Sequence, residues 1–109
     1  MGKIKYFALI GGMILFIIII HSLIQSYDGK LHVVFCDVGQ GDAALIRTPN
    51  RQEILIDGGP NNQVLECLDQ YLPFWDRDLT TILLTHPHYD HFRGLIDVLG
   101  RYDVQMIGY

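Results

Sequence analysis

A mixed α/β domain (α/β, or α+β) carried behind one membrane-spanning helix is the architecture this sequence predicts. Three observations carry the prediction. An apolar stretch without charge runs from Tyr6 to Ile24. Short runs of β-branched and aromatic residues then alternate with amphipathic runs of helical period. One junction between such runs, Thr85-His86-Pro87-His88-Tyr89-Asp90-His91, gathers three of the five histidines and a carboxylate.

The first element follows Met1-Gly2-Lys3-Ile4-Lys5. Tyr6 to Ile24 is 19 residues, about 28 Å as a helix, against a hydrocarbon core of about 30 Å. No charge falls between Lys5 and Asp28. A cleaved signal peptide shares the basic start and apolar middle. The length of the run, and the lack of an A-x-A-like site between His21 and Tyr27, favour an uncleaved anchor over residues 1–26. Lys3 and Lys5 before it and Asp28 after it place the N-terminus in the cytoplasm and the rest outside the cell membrane. Residues 27–30 form a polar linker, and residues 31–109 one small domain.

Within that domain Leu31 to Asp37 reads as a strand, followed by the glycine-bearing loop Val38 to Asp42. Ala43 to Arg47 is a second strand, Thr48-Pro49-Asn50-Arg51 a turn, and Glu53 to Asp57 a third strand stopped by Gly58-Gly59-Pro60. A helix is expected from about Asn62 to Leu72, with Val64, Leu65, Leu68 and Leu72 inward and Pro73 ending it. Phe74-Trp75 is expected to cover the sheet edge or the core. Thr80 to Thr85 is a fourth strand. A helix to about Gly100 follows, its inner face Phe92, Leu95, Ile96 and Leu99 by spacing, and Val104 to Ile107 begins a fifth strand. Cys36 and Cys67, 31 positions apart, both fall on apolar faces. They read as buried small residues rather than as a disulfide.

The histidine loop sits where a strand opens into a helix, the usual place of active sites in open α/β sheets. Residues two apart in an extended segment point the same way, so His86 and His88 face one metal ion together. Pro87 keeps His86 out of helical angles. Asp90 and His91 follow the turn and point along different directions from the first pair, which leaves room for a second ion beside the first. Imidazole and carboxylate suit zinc, and also manganese or iron. Two further acidic turns are ambiguous from the residues alone. Asp37-Val38-Gly39-Gln40-Gly41-Asp42 fits a tight turn and a ligand-approach loop equally. Asp57-Gly58-Gly59 taken singly is a turn-capping aspartate.

H-x-H-x-D-H followed by Gly94 resembles the metallo-β-lactamase fold superfamily. Phe35 to Asp42, Leu55 to Gly59 and Thr85 to His91, in that order, resemble the metallo-β-lactamase-like domain of ComEC-type DNA-uptake (competence) proteins and their stand-alone relatives. The resemblance spans residues 31 to 109. It implies an αββα sandwich of which this chain carries the N-terminal half, preceded here by one membrane helix where ComEC-type proteins have many. It implies that His86 and His88 hold one divalent ion, Asp90 and His91 a second, zinc before manganese. Asp90 also orients the nucleophile, and Asp37, Asp42 and Asp57 are candidates for outer groups that orient the ligands. The remaining ligands are expected in a second half, so the 109 residues alone are expected to hydrolyse poorly.

The function expected is a membrane-anchored, metal-dependent hydrolase. A metal ion brings bound water to a pKa of about 7 and so supplies a nucleophile at neutral pH. The resemblance implies a phosphodiester substrate such as DNA. A carbonyl ester, lactone or β-lactam is the rival substrate, and a non-catalytic exterior module of a DNA-uptake assembly the rival role. Lys3 and Lys5 precede the helix; the six remaining basic residues face all twelve acids, a net of −6 beyond it. Bulk charge therefore does not draw a polyanion to the domain.

Overall fold

The computed structural model describes residues 2–109. It contains α1 (Gly2–Ser26), β1 (His32–Phe35), β2 (Ala44–Arg47), β3 (Glu53–Ile56), α2 (Gln63–Tyr71), β4 (Asp78–Leu83), α3 (Tyr89–Arg101) and β5 (Asp103–Gly108). The order of strands and helices is the one the sequence predicts. The fold is a mixed α/β one.

α1 is apolar all round, and no residue of Gly2–Ile24 is buried against the rest of the chain. At about 1.5 Å per residue its 25 residues reach roughly 37 Å. It is long and apolar enough to cross a membrane. A helix apolar all round belongs in a protein core or in a membrane, and this one is not packed into the core.

The five strands form one sheet in sequence order. β1, β2 and β3 pair antiparallel; β3, β4 and β5 pair parallel. The parallel pairs need crossovers, and α2 and α3 supply them. Leu45, Leu55 and Ile82 stand side by side across three strands and are fully buried. Val64 and Leu68 of α2 and Leu95 and Val98 of α3 complete that core. The opposite face carries Val33, Ile46, Ile54 and Met106 in one cross-strand row and Phe35, Ile56 and Leu83 in the next. Phe35 is 83% exposed and Met106 63%. One sheet face is thus covered by helices, while an apolar face and the β1 and β5 edges stay open.

Three expectations change. Cys36 and Cys67 are joined in a disulfide, their Cα atoms 5.6 Å apart. The crossover of α2 lays Cys67 over the end of β1, a proximity that linear spacing cannot show. A link closing a loop of this length restricts the unfolded chain by an amount worth about 3–4 kcal/mol. The inner face of α3 is Gly94, Leu95 and Val98, while Ile96 and Leu99 are exposed. A glycine inside the contact lets the helix approach along a line that apolar spacing alone did not mark. Phe74 is 82% exposed and Trp75 43%, so this pair covers neither core nor edge.

Glu53 opens β3 with only 5% of its surface exposed. Burial, and the Asp76 carboxyl beside it, push its pKa up to about 8. The charge of Arg47, 3.9 Å away, opposes this without offsetting it. Unfolded, the group titrates near its ordinary 4.5. Between those values the folded protein holds a proton that the unfolded chain has released. This contribution is therefore complete below about pH 4.5 and falls away as pH rises towards 8. Glu53→Gln is expected to match wild type at pH 4.5. By pH 8 it should be more stable by an amount on the order of 2 kcal/mol. Urea unfolding of both proteins across this range checks it; parallel curves would contradict it.

Candidate functional site

All three motif loops leave the same edge of the sheet. β1 runs towards that edge and ends at Phe35, β3 at Ile56 and β4 at Leu83, three residues that stand in one cross-strand row with Ala44. The ladder continues just past the strands. Asp57 N–H donates to Leu83 O at 2.8 Å, and Leu84 N–H to Gly108 O at 2.9 Å. Loop 36–43, loop 57–62 and loop 84–88 therefore meet over the C-terminal ends of β3 and β4.

Backbone contacts through glycine lock the loops together. Gly58 N–H donates to His91 O at 2.6 Å, Gly94 N–H to Gly59 O at 2.9 Å, and Gly59 N–H to Asp42 O at 3.1 Å. A Cβ on Gly94 would lie 1.8 Å from Gly58 O and 2.6 Å from Asn61 O. A Cβ on Gly41, whose φ is +136°, would lie 2.3 Å from Asp90 O. Only glycine permits either approach. Gly94, Gly41 and Gly58 thus serve one purpose: they seat the start of α3 on the other two motifs.

Asp57 is the hub of this unit. It is 3% exposed and adopts a left-handed φ of 59°. Its carboxylate accepts from Thr85 N–H at 2.8 Å, from the Thr85 hydroxyl at 2.5 Å and from His91 Nδ1 at 2.9 Å. Burial pushes its pKa up, but the bonds from Thr85 and then His91 outweigh that and leave it below the ordinary carboxylate value. An ionised carboxylate only accepts, so Nδ1 of His91 carries a proton, and in the neutral ring it is Nε2 that keeps the lone pair. The Asp57 bond raises the pKa of His91; partial burial opposes this, and the charges of Asp57, Asp90 and Asp42 add to the rise.

His91 Nε2 lies 3.9 Å from Asp90 Oδ2 and 4.0 Å from Asp42 Oδ2. The His86 ring is centred 5.5 Å from that of His91 and 6.0 Å from that of His88. His88 occupies the N-cap position of α3 with extended angles. Its carbonyl accepts from His91 N–H at 2.9 Å and Phe92 N–H at 3.1 Å. His86, His88, Asp90, His91 and Asp42 are therefore gathered at one edge, with Asp57 beneath. Asp37 is not brought to them by any contact. Its carboxylate accepts from Gly39 N–H at 3.4 Å within its own turn, and it borders a cleft along α2 with Gln63 and Glu66. Thr85 is the residue whose part the sequence did not disclose. Its place just before the first histidine is the only signal, and its two bonds to Asp57 are long-range.

Among the described residues no three His, Cys, Asp or Glu side chains already converge on a single point suited to a metal ion. The donors nevertheless fit divalent ions in kind. They are imidazoles and carboxylates, Nδ1 of His91 is held by a carboxylate behind it, and His86, His88 and Asp90 are exposed, with His86 Nδ1 3.2 Å from the Thr85 hydroxyl.

A family model described as the metallo-beta-lactamase superfamily matches residues 36–108. The chain belongs to the metallo-beta-lactamase superfamily. Among solved structures it is similar to MEM-A1, a subclass B3 metallo-beta-lactamase isolated from a soil metagenome library. The identity is 28% and the TM-score 0.53, over 72% of this chain and 29% of that one. The chain thus spans under a third of that enzyme's length. A search of curated proteins found no match. Superfamily membership brings a hydrolase fold that typically works with divalent metals such as zinc.

Proposed function

We propose that this chain is a membrane-anchored part of a metal-dependent hydrolase acting on a phosphodiester such as DNA. The observation that carries the reading is the Asp57–His91 bond: it turns Nε2 of His91 towards Asp90 and Asp42, the arrangement in which a histidine serves as a metal ligand. His86 and His88 would hold one ion, and Asp90 and His91 the other. When bound, the ions would acidify water and polarise the scissile bond. Asp90, in the first turn of α3, would also orient the attacking water, and Asp57 would keep the His91 proton away from the ligand nitrogen.

The phosphodiester reading is supported by the D-V-G-Q-G-D loop, which resembles that of ComEC-type DNA-uptake proteins and here packs through Gly41 against Asp90. The β-lactam-hydrolysing neighbour supports the rival reading of a carbonyl substrate. Topology has two supports. Lys3 and Lys5 precede α1, which favours a cytoplasmic N-terminus. The Cys36–Cys67 disulfide suits an oxidising exterior.

Four candidate ligands shared between two ions give two each, where a hydrolytic site wants about three per ion. Turnover by the 109-residue chain should therefore be slow. The experiment compares bis-p-nitrophenyl phosphate, p-nitrophenyl acetate and nitrocefin as substrates with added zinc or manganese. A slow phosphodiester rate that vanishes with chelator and in Asp90→Ala is expected. A preference for either carbonyl substrate, or a phosphodiester rate unchanged in Asp90→Ala, would overturn the proposal.

A further inference from the structure

We infer that Phe74 and Trp75 insert into the interface of the membrane that α1 crosses. They would then seat the domain upright on the bilayer, with its metal-ligand loops facing the aqueous phase. This rests on α1 being an anchor, and the test below separates the two claims.

The argument begins with the polarity of the sheet. His32, Arg47, Glu53, Asp78 and Asp103 mark one edge, because β1 starts there, β2 ends there, and β3, β4 and β5 start there. α1 enters at that edge, through Tyr27 N–H donating to Leu23 O at 3.2 Å and the turn before His32. α2 descends from the loop edge and delivers residues 72–77 to the same end. Phe74 and Trp75 thus lie at the membrane end of the domain, opposite the histidines. Four strand residues at about 3.3 Å each put the loop edge roughly 13 Å further away.

Two observations fix the depth and the partner. Ser22, in the last turns of α1, shares one open cleft of about 350 Å³ with Tyr71, Pro73, Phe74 and Trp75. The two aromatics therefore stand level with the outer end of the span Gly2–Ile24, where Trp and other amphipathic rings gather in membrane proteins. They also pack edge to face, centroids 5.0 Å apart, yet Phe74 remains 82% exposed. An exposed apolar tip beside a bilayer has lipid as its nearest apolar phase. Charge does not drive the contact. Lys30, Arg47 and Arg51 at this end lie among Asp28 and Glu53, and Arg77 and Arg101 both reach Asp69, at 3.7 and 3.5 Å, so neutral phosphatidylcholine suffices. Seated so, the ligand loops present themselves to soluble substrates and not to lipids of the same membrane.

Trp75 is the only tryptophan of the chain, so its emission reports the tip alone. The full chain is reconstituted in phosphatidylcholine vesicles, with or without brominated acyl chains, and floated on a density gradient. Expected is co-flotation and at least a twofold loss of Trp75 emission in brominated lipid. The loss should be unchanged by added phosphatidylglycerol and at least halved in Phe74→Asp of unchanged circular dichroism. A chain that fails to float overturns the anchor and the docking together. A chain that floats but emits equally in both lipids, or whose Phe74→Asp variant is quenched like wild type, overturns the docking and leaves the anchor standing.

Discussion

Gly94→Ala unseats the first turn of α3 and is expected to destabilise the protein by about 3 kcal/mol or more. Intrinsic propensity says the opposite, since alanine replaces glycine inside a helix at a gain of about 1 kcal/mol. The contact decides the sign. A Cβ at position 94 would meet Gly58 O at 1.8 Å, Asn61 O at 2.6 Å and Gly58 C at 2.8 Å, all of them backbone atoms. No rotamer relieves that, so the helix or the Asp57 loop must shift by about 1.5 Å, which breaks the bonds from Gly94 N–H to Gly59 O and from Gly58 N–H to His91 O. Gly100, in the same helix, faces open space, and a Cβ there would meet nothing within 4 Å. Gly100→Ala should therefore follow propensity and stabilise by roughly 0.5–1 kcal/mol. Urea denaturation of the pair checks it. Equal shifts of one sign would refute the packing of the three motifs.

Much of this was legible in the sequence because the domain punctuates itself. Glycine or proline follows each of the first four strand runs, and β-branched residues fill the runs, so the order of elements could be read directly. Asp90 and His91 were placed at the start of a helix because Pro87 keeps His86 extended and the apolar spacing of a helix begins just after them. The illegible parts depend on contacts between distant segments. Gly94 sits within the buried face of α3, so Leu95 and Val98 turn inward while Ile96 and Leu99 face out. Cys36 and Cys67 fit apolar positions equally well with or without a bond, until α2 crosses the sheet. Asp57 read singly as a turn cap. Its three bonds to Thr85 and His91 span 28 and 34 residues, and no local pattern encodes them.

Metal binding carries the second large effect. In the proposed site His88 and Asp90 each supply one of the two ligands that this chain offers an ion, so losing either should release that ion. Asp57 touches no ion in the proposal. Its loss frees the His91 ring to turn and to move its proton to Nε2, which typically costs 10–100-fold in affinity. The order of effects is therefore His88→Ala and Asp90→Ala first, then Asp57→Ala, while Asp37→Ala, spent on its own turn at 3.4 Å from Gly39 N, changes nothing. The deciding measurement is a zinc titration of the full chain and these four variants against a chromophoric chelator. The account predicts one or two zinc ions per wild-type chain, one fewer in His88→Ala and Asp90→Ala, the same number held 10–100-fold more weakly in Asp57→Ala, and wild-type binding in Asp37→Ala. Equal zinc content and affinity in wild type, His88→Ala and Asp90→Ala would contradict it.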